Sequence, residues 1–147
     1  VKGVRGSEDE GKELDVLLES HDATMYRAIV ARGIYLAQDR SDIAFAVKEL
    51  SRRMSNPDAR DWQSLKRLGR YLLKRERAVS HFGYQSHPEH WSIWVDSDWA
   101  GCLRTRKSTS GGVIMFGSHA VKSWSTTQKV IALSSGEAEY YSMVRGG

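Results

Sequence analysis

A chain of 147 residues, 40% hydrophobic and 27% charged, has the material for one globular domain and barely for two, and is too apolar to be disordered throughout. No apolar run reaches the roughly 18 residues of a membrane helix, and no apolar core of a signal peptide stands at the start, so no membrane partner is expected. The single cysteine, Cys102, leaves no disulfide to form within the chain and suits a reducing compartment, cytoplasmic or nuclear. The net charge of +4 is unevenly spread: residues 26–80 hold thirteen basic and six acidic side chains, whereas residues 1–25 hold three basic and seven acidic. That excess is a possible footprint for a polyanion, and equally the ordinary charge of a solvated helical surface.

In chain order, residues 1–22 mix Gly3, Gly6 and Gly11 with acid and read as a flexible lead-in. Three helices are predicted next. The first, about Thr24 to Ala37, has Tyr26, Ile29, Val30, Gly33 and Ile34 at helical spacing, with Asp22 or Thr24 to cap it. The second, Ser41 to about Met54, gathers Ile43, Val47 and Leu50 and is stopped by Asn56-Pro57. The third, Asp58 to about Arg75, puts Trp62, Leu65, Leu68, Leu72 and Leu73 on one face and Lys66, Arg67, Arg70 and Lys74 on the other. A basic face without interleaved acid favours phosphate contact, and Lys66, Arg70 and Lys74 are nominated for it.

After Arg77 the period changes to that of strands. Val79–Tyr84, Trp91–Val95, Gly112–Phe116 and Ala120–Trp124 are rich in β-formers, with Gly117-Ser118-His119 as a tight connection, so the last three are expected to pair as an antiparallel meander. Ser134 or Ser135 then caps a final helix with Glu137 in its first turn, where the helix dipole favours acid. The fold class is α+β.

Acidic residues cluster at two places. Asp96 and Asp98 lie two apart at a strand end, on one face, as hard oxygen donors suited to magnesium. Glu137 and Glu139 lie about 200° apart on a helix, so only one of them can turn toward the sheet. The five histidines lack cysteines at zinc spacing, Ser134-Ser135-Gly136 lacks the glycines of a nucleophile elbow, and no phosphate-cradling glycine loop occurs.

Three stretches carry a family resemblance. Asp96-Ser97-Asp98-Trp99-Ala100-Gly101, Arg106-Lys107-Ser108-Thr109-Ser110-Gly111 and Ala132-Leu133-Ser134-Ser135-Gly136-Glu137-Ala138-Glu139-Tyr140 resemble the ribonuclease H region of copia-type retrotransposon Pol polyproteins. Upstream, Arg40-Ser41-Asp42-Ile43-Ala44-Phe45, Met54-Ser55-Asn56-Pro57 and Leu65-Lys66-Arg67-Leu68-Gly69-Arg70-Tyr71-Leu72 are similar to the segment joining reverse transcriptase to that domain. The likeness runs in order over residues 25–145. It implies a helical reverse-transcriptase tail over 23–80 and a partial ribonuclease H-like domain over 81–147, made of the meander and its first helix.

The resemblance further implies magnesium-dependent hydrolysis of the RNA strand of RNA–DNA hybrids, with Asp96 and Glu139 as catalytic acids and metal ligands. The turn holding Arg106, Lys107, Ser108 and Thr109 would lie near the nucleic-acid backbone, and the remainder of the polyprotein would be a partner. Departures accompany it. Two further catalytic Asp residues of the family find no counterpart before Gly147, and the polymerase Tyr-x-Asp-Asp motif is absent. Cys102-Leu103-Arg104-Thr105-Arg106 replaces a loop that is commonly acidic, and Arg40 stands where a proline is usual. The expectation is therefore a fragment inactive as given. The alternatives are a non-catalytic, basic nucleic-acid-binding remnant or a translated relic.

Overall fold

The computed structural model describes residues 16–147, which hold four helices and one three-stranded sheet. The described residues divide into two compact units, which part between Ala78 and Val79.

The helical unit contains α1 (Ser20–Leu36), α2 (Ser41–Ser51) and α3 (Ala59–Lys74). Tyr26 and Val30, one turn apart on α1, meet Leu50 of α2 and Leu65 of α3, and Leu18, Met54, Trp62 and Leu68 pack around them. The apolar stripe of α1 is narrower than its spacing predicts, because Ile29 and Ile34 stay exposed while Ala23, Tyr26 and Val30 are buried. On α3, Leu73 is 77% exposed. Neighbouring residues on a helix point 100° apart, so Leu72 takes the inward position and Leu73 cannot share it.

A side-chain cap marks the start of α3. Asp58 accepts a hydrogen bond from the Asp61 backbone N–H (2.9 Å), and the Asp61 carboxylate accepts one from that of Asp58 (2.9 Å), a reciprocal capping box. Arg53 bridges both acids, at 2.6 Å and 3.0 Å. Neither Asp22 nor Thr24 caps α1, which starts earlier, at Ser20, without a side-chain cap. The earlier start follows from pairing upstream. Leu18 N–H donates to the Pro57 carbonyl and Ala59 N–H to that of Val16, so residues 16–18 run antiparallel beside 57–59. Residues 16–22 are thus tied into the fold, unlike the flexible lead-in expected of them. The glycine-rich stretch before them lies outside the described residues.

Arg40, where the resemblance leads one to expect a proline, is buried and uses donors that proline lacks. Its guanidinium forks onto Asp42 (2.9 and 2.8 Å) and donates to the carbonyls of Arg75 (3.0 Å) and Glu76 (3.4 Å), which closes the C-terminus of α3. The Arg40 hydrogen bond, opposed by burial and aided by the Tyr71 hydroxyl, holds the Asp42 carboxyl down to about 2. A folded pKa below the usual 3.8 gives stability that is complete above pH 4 and is lost as pH falls toward 2. Urea midpoints measured from pH 7 to pH 2 are expected to drop over that window, and Asp42→Asn to be less stable at pH 7 with a flatter profile. Equal pH slopes for the two proteins would remove this role.

The sheet unit contains β1 (Trp91–Asp98), β2 (Thr109–Phe116), β3 (His119–Thr127) and α4 (Ser135–Gly146). The strands form an antiparallel meander in the order β1-β2-β3, with Ile93 opposite Ile114, Val95 opposite Gly112 and Asp98 opposite Thr109. Val79–Tyr84, expected as a strand, joins no sheet. Side chains rather than a backbone ladder hold this segment. The Gln85 amide donates to the Phe116 carbonyl (3.0 Å) and accepts from Ser118 N–H (2.8 Å), and His119 Nε2 lies 2.8 Å from the Gly83 carbonyl. Gly117, at φ +60°, makes the tight β2–β3 turn, where a side chain would also strike Pro88.

Helix α4 packs on β1 and β2. It presents Ala138, Ser142 and Gly146, spaced by four, so its backbone comes close to the sheet. A Cβ on Gly146 would stand 2.9 Å from Val95 Cγ1 and 3.2 Å from Ile93 Cγ2. Trp124 fills the space over Gly112, where an added Cβ would lie 2.8 Å from the indole Cε2.

Candidate functional site

The nominated acids come from β1 and α4. Ser134 starts α4 as its N-cap, accepting from the Glu137 N–H (3.2 Å). Glu137 is then fully engaged, because its carboxylate accepts from Leu133 N–H (2.6 Å) and from the Tyr141 hydroxyl (2.8 Å). Those two bonds lower its pKa. Glu139, by contrast, is exposed, with only a long contact from the Ser135 hydroxyl (3.5 Å).

Ser142 fixes the height of α4 against β1, since its buried hydroxyl donates to the Asp96 backbone carbonyl (2.8 Å). Glu139 precedes Ser142 by three residues, which places it within about 60° of the same helix face and about 4.5 Å along the axis. Glu137 is about 140° away from that face. Of the two glutamates, Glu139 is the one on the Ser142 side.

Strand alternation sets a limit on the pair. Ile93 and Val95 lie beneath Gly146, on the α4 side of the sheet, so Asp96 projects from the other side. Asp96 and Glu139 can meet only around the open edge of β1. Asp98 shares the Asp96 face but is spent elsewhere. Its carboxylate accepts a hydrogen bond from the Thr109 N–H and folds over Gly101, where a Cβ would stand 2.6 Å from Cγ. It latches the loop between β1 and β2 and does not lend a third oxygen donor to Asp96.

Among the described residues, no three His, Cys, Asp or Glu side chains converge closely enough to hold a metal ion. Two exposed carboxylates on opposite sides of a strand do not neutralise two divalent ions or fix them relative to a phosphate. The donor set present does not fit a two-magnesium centre.

The loop after β1 is built from its own polar atoms. Ala100 N–H donates to the buried Ser108 hydroxyl (3.0 Å), Cys102 N–H to the Lys107 carbonyl (3.2 Å) and Arg106 N–H to the Cys102 carbonyl (2.7 Å). Ala100 and Arg106 adopt φ of 52° and 55° to close it. Trp99 Nε1 donates to the Ala132 carbonyl (3.1 Å), which ties the loop to the approach of α4. Ser108 and Thr109 are buried, whereas Arg106 is exposed and Lys107 half-buried.

Gln128 was not nominated from sequence, yet it organises the interior of this unit. Its N–H donates to the Ser108 carbonyl (2.8 Å), and its side-chain amide donates to the Ser110 hydroxyl (3.0 Å) and the Ala138 carbonyl (2.8 Å). A glutamine after a strand carries no sequence signal for such a role. In the helical unit, Lys66, Arg70 and Lys74 are exposed on α3, as the period predicts. A cavity of about 590 Å³ lies between α2 and α3, lined by Ile43, Leu50, Arg53, Asp61, Arg67 and Tyr71 among others, and none of the nominated acids reaches it. No helix among the described residues is long and apolar enough to cross a membrane.

These features define an α+β protein whose meander and following helix carry two exposed acids on opposite sides of β1. Its relatives give the family. The chain is 37% identical over 131 residues to the retrovirus-related Pol polyprotein from transposon RE2 of Arabidopsis thaliana, covering 83% of this chain and 8% of that polyprotein. It is 37% identical over 108 residues to the corresponding polyprotein from transposon TNT 1-94 of Nicotiana tabacum, again 8% of its length. A chain of similar extent is the secreted RxLR effector protein 161 of Plasmopara viticola, 34% identical over 126 residues, which cover 86% of this chain and 82% of that one. The chain belongs to the copia-type retrotransposon Pol polyprotein family. It spans less than a tenth of the transposon polyproteins it matches. No family model and no solved structure matches it.

Proposed function

We propose that this chain is the segment of a copia-type polyprotein in which the helical end of reverse transcriptase meets the first strands and first helix of the ribonuclease H domain. The observation that carries the reading is the order of its parts. A strand bearing Asp96, a meander and a helix bearing Glu139 follow one another in a chain related to Pol polyproteins, and Ser142 pins that helix to the strand at Asp96. Hydrolysis of the RNA strand of an RNA–DNA hybrid is the activity proposed for the whole domain, with magnesium as its cofactor. Asp96 and Glu139 are this chain's contribution to that site. Alone, the chain is proposed to bind nucleic acid and not to cleave it, because two separated carboxylates do not make the centre.

The basic face of α3 supports the binding part. Lys66, Arg70 and Lys74 have no carboxylate partner among the described residues, and each contact with a duplex phosphate steepens the salt dependence of binding by about 0.9 log unit per log unit of salt. A labelled RNA–DNA hybrid mixed with the 147-residue chain and magnesium chloride is expected to be bound and left uncut. Replacing the three cations by alanine is expected to flatten the salt slope by up to three such steps. An unchanged slope returns α3 to an ordinary solvated surface. Hybrid cleavage that disappears in Asp96→Asn would overturn the inactive reading.

A further inference from the structure

Helix α4 covers two strands of three, and the α4 side of β3 is left as a trough. Its wider part, about 530 Å³, is lined by Ser110, Thr126, Gln128, Lys129, Tyr141 and Arg145 among others. A second part of about 320 Å³, lined by Ile114, Lys122, Trp124, Arg145 and Gly146, shares Arg145 with it farther along β3. Three features set this trough apart from ordinary surface. Lys122, Arg145 and Lys129 are spread along it, no Asp or Glu lines either part, and none of these cations has a carboxylate partner among the described residues.

The trough also has unmet hydrogen-bonding capacity. Gln128 is 8% exposed, and while its amide N–H groups are used, its Oε1 has no partner. Trp124 Nε1 is likewise buried and unpartnered. A buried acceptor left bare costs about 1–3 kcal/mol, so the site favours an occupant that brings donors. A water satisfies Gln128 but leaves the three cations unmatched.

We propose that the β3–α4 trough binds single-stranded nucleic acid. Phosphates would lie along Lys122, Arg145 and Lys129, while base N–H groups meet Gln128 Oε1, with Tyr141 and Trp124 as the aromatic walls. The length of the trough favours a chain over an isolated phosphate: from Lys122 to Thr127 the strand alone advances about 17 Å, so its cations cannot converge on one anion. Aromatic walls beside a run of cations are the arrangement that holds single strands without base selectivity. This proposal is independent of the ribonuclease H reading, since it uses neither Asp96 nor Glu139 nor the basic face of α3.

The test titrates ¹⁵N-labelled chain with a single-stranded tetranucleotide of thymidine, its uridine counterpart, a thymidine mononucleotide and inorganic phosphate. Shifts are expected at the Gln128 side-chain amide and Trp124 Nε1–H with both tetranucleotides and much more weakly with the mononucleotide. The double variant Lys122→Ala/Lys129→Ala, at two exposed positions, is expected to weaken tetranucleotide binding at least tenfold and to reduce its salt slope by about 1.4, at about 0.7 per single-strand phosphate contact. The triple α3 variant, Lys66, Arg70 and Lys74 to alanine, is expected to leave those shifts in place. Tetranucleotide shifts confined to α3, equal affinity for phosphate and tetranucleotide, or a salt slope unmoved by the double variant would each overturn the proposal.

Discussion

Tyr26→Ala is expected to unfold the helical unit. Tyr26 is fully buried at the junction of α1, α2 and α3, and its hydroxyl donates to the Leu50 carbonyl (2.8 Å). Removing the ring leaves a cavity worth about 3–5 kcal/mol by analogy with other large aromatic deletions. It also removes the hydroxyl's hydrogen bond to the Leu50 carbonyl, which keeps the one from Arg53 N–H (3.1 Å), a further loss of about 1 kcal/mol. A unit this small is stabilised by little more than about 5 kcal/mol, so the loss consumes all of it. Tyr26→Phe keeps the packing and loses only the hydrogen bond, so it is expected to fold with a stability lower by roughly 1–2 kcal/mol. Urea unfolding followed by circular dichroism, together with amide dispersion for residues 20–74, separates the outcomes. A Tyr26→Ala protein with a native spectrum and a midpoint near that of the parent would show that the core reading is wrong.

Gly101→Ala is expected to release the loop between β1 and β2. The new Cβ would occupy the space of the Asp98 carboxylate, which must then leave the Thr109 N–H. Overpacking and the unmet N–H together cost about 2 kcal/mol, or roughly 10 °C in the melting of a unit of this size. The two residues act through one contact, so their effects are expected to be strongly non-additive. In an Asp98→Ala background, Gly101→Ala should cost little more, because the group it strikes is gone. Additive losses in the four proteins of that cycle would show that Gly101 is required for another reason. The same cycle examines the acid assignment. Asp98 is read as a latch, so its loss should lower melting temperature, whereas Asp96→Asn, at an exposed side chain, should leave melting nearly unchanged.

Local patterns were enough for the element list apart from Val79–Tyr84. The 3.6-residue period of Tyr26, Val30, Leu50 and Leu65, the proline after Asn56 and the alternation through Trp91–Val95 specify three helices and a meander, since each signal is held within one turn or one strand. The acids were legible for the same reason: Asp96 and Asp98 must share a strand face, and Glu137 and Glu139 cannot share a helix face. The family resemblance added roles to Asp96 and Glu139 that spacing alone does not supply.

Tertiary structure decided how those residues are used. Which of Leu72 and Leu73 turns inward depends on the packing of α3, and Ile29 and Ile34 stay outside although their spacing suits the stripe. Val79–Tyr84 has the composition of a strand, but Gln85 and His119, more than thirty residues apart, hold its end instead of a ladder. Asp98 becomes a latch only because Thr109, eleven residues on, presents its N–H there. Ser108 and Thr109 look like phosphate contacts in a basic turn and are buried by the strand pairing that follows. The distance between Asp96 and Glu139 depends on which side of β1 receives α4, and the small residues Ala138, Ser142 and Gly146 seat that helix against Ile93 and Val95, opposite Asp96. Local sequence sets periodicity and end signals because those are short-range sterics and hydrogen bonds. The choice of face, partner and burial is made by contacts between segments distant in the chain, and that choice separates the two acids.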